Sequence, residues 1–145
     1  MNKFLSGVSP LVLSLLRIST ALLFIQHGLV KFVGWPAPSP QGFQILTLMG
    51  LAGAIELIGG ALLVVGYFTR LVAFVASGEM AFAYFMAHAP ASLYTYVNHG
   101  EAAVMFCFIF LTIAVAGGGP ISIDAILAGR TKPPVPAKPE LLKAT

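Results

Sequence analysis

The stretch LAGAIELIGGALLVVG, from Leu51 to Gly66, decides the class of this protein. It carries a single charge, Glu56, in an apolar run closed by a glycine of the kind that ends helices. Extended upstream to about Gln44, it is long enough to cross a bilayer, which takes roughly 20 mostly apolar residues. Composition agrees. Of 145 residues, 58% are hydrophobic and 9% charged, and the mean hydropathy is +0.92. Soluble domains hold about 45–50% apolar and about 25% charged residues. Disorder, a coiled coil, nucleic-acid binding and a water-soluble enzyme are excluded on this ground, and an all-α polytopic membrane protein is predicted. Burial of these helices inside a large soluble domain fails too, because the chain has almost no polar surface to wrap them in.

Working outward, three more spans complete a four-helix transmembrane bundle. The first runs from Leu11 to about Phe32, opened by Ser9-Pro10 and closed before Pro36-Ala37-Pro38. The third starts near Thr69 and stops before Pro90, and the fourth runs from near His99 to Gly117-Gly118-Gly119-Pro120. Only Gly66-Tyr67-Phe68 joins the second and third, which predicts a tight antiparallel hairpin. The glycine run lacks the Lys-Ser/Thr of a phosphate loop and reads as a stop signal only. The membrane domain is expected over residues 1–129, followed by a basic, Pro-rich, exposed tail over 130–145. Arg17 interrupts the first apolar run and no small-x-small site follows, which argues against a cleaved signal peptide.

The net charge is +3, from eight basic and five acidic residues. In so apolar a chain this excess speaks of orientation, not of a polyanionic partner such as nucleic acid. Lys3, Arg70, Arg130, Lys132, Lys138 and Lys143 fall on one side, while the loops Val33 to Phe43 and Ala89 to Asn98 hold no Lys or Arg. Both termini are therefore expected in the cytoplasm.

Ionisable groups inside a span cost at least a few kcal/mol, so each needs a partner or a task. Depth sorts them into two groups. Arg17, Glu56 and Glu79 form the inner and central one, in which Arg17 is expected to pair with one carboxylate; a proton-transfer role for a carboxylate is the sharper reading. Glu56 shares a helix face with Gly53 and Gly60, a seam where another backbone can approach closely. The outer group holds His27, Lys31, His88, Tyr94, Tyr96, Asn98, His99 and Glu101. Arg17, His27 and Lys31 lie on one flank of the first helix and Gln26 on the opposite one, so the charged flank should face the bundle. Taken singly, Lys31 would snorkel to the outer headgroups, and Trp35, Tyr94 and Tyr96 would form an aromatic belt. His27, more than a turn inside the span, is either a neutral histidine satisfied by one hydrogen bond or a ligand-binding group.

No two of the three histidines have the i, i+3 or i, i+4 spacing of a helix-borne metal site, so metal is not expected and haem is disfavoured. His88 and His99 could meet only if the loop between them folds back. One cysteine, Cys107, allows no intramolecular thiol relay, and among Phe106, Phe108 and Phe110 it reads as a small buried hydrophobe.

Arg17-Ile18 followed by Phe24-Ile25-Gln26-His27-Gly28-Leu29-Val30-Lys31 resembles the first-helix pattern of the DoxX family. Leu51 to Gly60, continuing to Gly66 and Thr69-Arg70, is similar to its second helix; Asn98-His99-Gly100-Glu101 and Ser122-Ile123-Asp124 are similar to its fourth helix and close. The resemblance runs in order from about Leu15 to Leu127. It implies a four-helix protein of the bacterial inner membrane, from a family named for a subunit of a thiosulfate:quinone oxidoreductase, with other members tied to oxidative-stress and quinone-resistance systems.

Two readings of function follow. In the first the protein is a quinone-linked redox component or anchor: His27 and Lys31 donate to a quinone carbonyl, His88 and Asn98 help line the pocket, and His99 or Glu101 exchanges protons with the outside. Such side chains store no electrons, so a bound cofactor or a partner oxidoreductase supplies them. In the second it is a non-catalytic accessory subunit that docks beside a larger membrane complex or associates with itself. Solute passage through the bundle is weaker, because four helices leave little lumen and no inverted repeat is evident.

Overall fold

The computed structural model describes residues 2–39 and 46–131, and it is helical throughout, with no strand among the described residues. Its elements are α1 (Asn2–Val33), α2 (Leu48–Val65), α3 (Thr69–His88), a short α4 (Thr95–Asn98), α5 (Glu101–Ala116) and α6 (Ile123–Thr131). Ser9–Val33 of α1, α2 and α3, at 25, 18 and 20 residues, are long and apolar enough to cross a membrane. α5 is apolar but has 16 residues, about 24 Å at the helical rise. The protein is a polytopic helical membrane protein with three full-length spans and one shorter helix.

Helix ends fall where punctuation residues demand. Thr47, in extended geometry, caps α2 by accepting from the Gly50 amide at 3.2 Å. Gly66, at φ 71°, closes α2 in the left-handed conformation that glycine adopts without a Cβ clash. One expected boundary moves. α1 does not open at Ser9-Pro10 but runs through Pro10 from Asn2, and the long helix carries both the lost amide bond and the ring's crowding of the preceding turn, together about 3 kcal/mol. The expected start of α2 at Gln44 lies outside the described residues, as does the tail expected over 130–145 apart from residues 130 and 131, which continue α6.

The expected pairing of the second and third spans needs a larger correction. They are joined by the tight turn at Gly66, yet the main packing is α1 on α2 and α3 on α5. Glycines decide the first pair. A Cβ on Gly28 would come within 2.7 Å of Leu57 Cγ, one on Gly53 within 2.7 Å of Phe32, and one on Gly60 within 2.5 Å of Ile25. Only glycine lets these backbones approach so closely, so the seam read around Glu56 is real and its partner is α1. The second pair packs small residues of α3, Ala73, Ala76 and Ser77, against the aromatic face of α5, with the Ser77 hydroxyl donating to the Cys107 carbonyl at 2.8 Å. The pairs meet in a core where Phe24 stacks edge-on to Phe110 at 4.8 Å. α2 and α3 touch near Gly66 and around Glu56; above that, the Leu48–Ala54 part of α2 diverges from α3. The bundle is closed at its Gly66 end and splayed at its His88 end.

Candidate functional site

At the closed end, Arg17 is fully buried. Its Nε donates to Gly118 O at 2.9 Å and one terminal nitrogen to Val64 O at 3.0 Å and to Leu63 O, while the other reaches Ile121 O. Arg70 donates to Ala114 O at 3.1 Å and to Val115 O. Asp124 accepts from the Phe68 and Thr69 amides at 3.0 and 2.8 Å. Where water is excluded, as around Arg17, carbonyls at helix ends left unpaired would each cost about 1–3 kcal/mol. The two arginines serve the carbonyl ends of α2 and α5, and the aspartate serves the amide end of α3; each charge also opposes the helix dipole it faces. Burial alone would raise the Asp124 carboxyl. The neighbouring Thr69 hydroxyl, the Thr69 and Phe68 amides and the Arg17 charge outweigh it and hold the carboxyl below the usual aspartate range.

This corrects the expectation that Arg17 pairs with Glu56 or Glu79. Arg17 and Lys31 are 14 residues apart on α1, about 21 Å along the axis. Arg17 is therefore level with the end of α2, not with Glu56. The glycine run is likewise more than a stop: Gly117 and Gly119 adopt positive φ (95° and 73°), and Gly118 presents its carbonyl to Arg17.

At the splayed end lies a cavity of about 830 Å³ between the two helix pairs. α1 contributes His27 and Lys31, α2 Glu56, α3 Glu79 and His88, and the turn between α4 and α5 contributes His99. The remaining lining is apolar, including Leu51, Ile55, Phe82 and Phe106. Lys31 pairs with Glu56, whose side chain is 1% exposed. The glycine seam makes this pair, because Gly53 sits against Lys31 Cβ and draws the two helices together. Lys31 therefore turns inward and does not snorkel. Two carboxyls face one ammonium, and Glu56 Oε2 and Glu79 Oε2 are buried without a hydrogen-bond partner. His27 stands edge-on to Phe106 at 5.6 Å.

The division of polar groups by depth is thus redrawn. Glu56 and Glu79 join the outer histidines and Lys31 in one cavity, and Arg17 stands apart. His88 and His99 do come to the same cavity, because the loop folds back: His88 Nδ1 lies 2.9 Å from Asn98 O. Asn98 and Glu101 are not among the lining residues. Asn98 is occupied in the turn, donating to Ser92 O at 2.6 Å and accepting from the Gly100 amide at 2.7 Å. Glu101 is exposed at the first turn of α5, and Tyr94, Tyr96 and Trp35 are exposed at the same end. Both wide helical turns among the described residues, Ile55–Gly59 and Tyr84–His88, border the cavity; the second closes through an Ala89 N to Tyr84 O bond spanning five residues. Turns of this width recur at functional sites, and no sequence signal announced them. Among the described residues no group of three or more His, Cys, Asp or Glu is placed to hold a metal ion.

Fold and site together define a small helical membrane protein with a charged, ligand-sized cavity opening between its spans. The DoxX family model matches residues 12–89, more than half of the chain. An uncharacterized protein of Haemophilus influenzae is 37% identical over 120 residues, covering 79% of this chain and 90% of that protein. The chain belongs to the DoxX family. No solved structure matches it.

Proposed function

We propose that this protein is a quinone-binding component of the bacterial cytoplasmic membrane that works with a partner oxidoreductase, with both termini in the cytoplasm. One observation carries the reading: an apolar cavity of about 830 Å³ on which an ammonium, two carboxyls and three imidazoles converge. Its size falls within the roughly 300–1,000 Å³ of small-molecule sites, and its few polar groups amid apolar lining suit a ring with carbonyls at its rim. His27 and Lys31 donate to a quinone carbonyl. Glu79 and His99 exchange protons with the ligand, and Glu56 keeps the Lys31 ammonium in place. Reduction of a quinone to a quinol takes two electrons and two protons; the cavity handles the protons, and the partner provides the electrons. The lone thiol, Cys107, does not line the cavity. On this reading the basic segment 130–145 belongs to the cytoplasmic side.

The test is binding of decylubiquinone to the purified protein in nanodiscs, with an organic extract of the same preparation assayed for quinone. Quinone in the extract and saturable binding are expected. His27→Ala is expected to weaken binding at least tenfold, with the melting temperature within a few degrees of the parent. Equal affinity in that variant overturns the pocket assignment. A quinone-free protein recovered in a stable larger assembly replaces this reading with the accessory-subunit one.

A further inference from the structure

Most glycines of the bundle are explained by tight packing, but Gly78 is not. A Cβ placed there meets nothing within 4 Å, although the residue lies in mid-helix and lines the cavity beside Glu79. Glycine inside a helix costs about 1 kcal/mol relative to alanine, so its benefit here is the space it leaves. That space belongs to a stripe. Val75, Gly78, Phe82 and Met86 follow at helical spacing along one face of α3, all exposed and all lining the cavity. Across from them stand Leu48 and Leu51 of α2, also exposed lining residues, on the part of α2 that diverges from α3. The cavity is therefore continuous with the outside through a slot between two apolar stripes. Gly78 is nine residues along α3 from Thr69, about 14 Å into the span, so the slot opens at hydrocarbon depth. At its inner end wait Glu56 Oε2 and Glu79 Oε2, buried and unpartnered. A buried polar atom of this kind is costly until a ligand satisfies it.

We infer that the cavity is loaded sideways from the bilayer, through the slot between α2 and α3, by a chain-bearing quinone or quinol whose ring passes Gly78 and whose tail stays in the slot. The inference rests on the quinone reading for its occupant, and on the stripes and Gly78 for its route. The ring's hydroxyl or carbonyl edge meets the carboxyl groups and Lys31, while the tail replaces lipid against Leu48, Leu51, Phe82 and Met86. Gly78 is a specificity-determining position: it admits the ring and holds nothing itself.

Two measurements in nanodiscs test this separately from the identity of the ligand. In the first, Gly78→Cys on a Cys107→Ser background is probed with a membrane-partitioned maleimide and with a charged, membrane-impermeant methanethiosulfonate. Reaction with the first and protection from the second are expected; the reverse pattern overturns the lateral route. In the second, Gly78→Leu is compared with the parent for binding of decylubiquinone and of tail-less duroquinone. The parent is expected to bind the tailed probe at least tenfold more tightly than the tail-less one, and Gly78→Leu to lose that tenfold or more while melting no lower than the parent. Undiminished decylubiquinone binding in Gly78→Leu overturns the inference. If the parent binds neither probe, the quinone occupant falls along with the reading it rests on, whereas labelling of the Gly78→Cys variant from the lipid side alone still upholds the sideways route.

Discussion

The two ends of this bundle hold comparable amounts of buried charge and use it in opposite ways. At the Gly66 end, all three guanidinium nitrogens of Arg17 are on backbone carbonyls, and Asp124 is on backbone amides. Among the described residues, the one buried side-chain oxygen left there without a hydrogen bond is the neutral Thr69 hydroxyl. The charge there closes the structure: it ties α1 to the ends of α2 and α5, and α6 to the start of α3. At the His88 end, one ammonium faces two carboxyls, two carboxyl oxygens have no partner, and the helices stand apart. Polar groups left unsatisfied in an apolar surround are retained for something that binds them, whereas satisfied ones are structural glue. The same residue types therefore read as scaffold or as site according to whether their neighbours satisfy them.

The largest effect should come from breaking the closed end. Arg17→Leu takes the guanidinium from four carbonyl oxygens; those of Leu63 and Gly118 keep the Gly66 amide and the Ser14 hydroxyl, while those of Val64 and Ile121 are left stranded. At about 1–3 kcal/mol for each buried unpaired group, partly relieved by relaxation, a loss of about 4 kcal/mol in unfolding free energy is expected. Arg17→Lys should recover only part of it, because an ammonium cannot fork across two helix ends. Unfolding by sodium dodecyl sulfate in mixed micelles measures both. A loss below about 1 kcal/mol would mean that water reaches these carbonyls and that the two ends are less different than described.

At the open end the decisive comparison is a double-mutant cycle. Lys31→Met leaves the Glu56 carboxylate buried and unpaired, which is expected to cost about 3 kcal/mol. Adding Glu56→Gln removes the stranded charge, so the double variant should be more stable than Lys31→Met alone by about 1–2 kcal/mol. Ligand binding should stay lost in the double variant even as stability returns. Recovery of both together would make the pair a structural brace like Arg17.

Much of the fold was legible because lipid imposes few solutions. Glycines and prolines at Gly66, Pro90 and Gly117 set three helix ends to within a few residues, and the Gly53–Glu56–Gly60 face identified a seam. The pairing of helices was less legible. A three-residue turn brings α2 and α3 together at one end, but helix pairing is decided along the whole length, by where small residues meet large ones. Four of the six residues suggested for ligand binding, His27, Lys31, His88 and His99, line the cavity, since charge inside a span narrows the choices by itself. The partners of that charge were missed. Distance along one helix says nothing of which level of a neighbouring helix lies alongside, so a match of Arg17 to Glu56 misses its actual level on α2, at Leu63 and Val64, by about 11 Å. Backbone carbonyls, the true partners, carry no sequence signal at all. Ser122-Ile123-Asp124 was the available hint, an aspartate two residues after a serine beyond a glycine stop, and its role became plain only once α3 was seen to begin beside it.

That aspartate supplies the smallest effect, and one with a pH signature confined to the closed end. Asp124→Asn keeps one acceptor oxygen where the Phe68 and Thr69 amides each had their own, and it removes the negative charge at the positive end of α3 and near Arg17. A charge at a helix start contributes about 0.5–1 kcal/mol, so the variant should be less stable than the parent by about that much at pH 7. The folded protein holds this carboxyl below its ordinary value, so its contribution is complete above the unfolded pKa of about 3.9 and disappears as pH falls through the lower folded value. The stability difference between parent and Asp124→Asn should accordingly be constant from pH 7 down to about 5 and shrink toward zero below about pH 4, with the parent doing the losing. Decylubiquinone binding should be the same in both proteins at pH 7, because Asp124 is not among the residues lining the cavity. A stability difference that instead grows on acidification would show that the Asp124 carboxyl is not held as an anion against the amides of α3. The closed end would then owe its closure to Arg17 and Arg70.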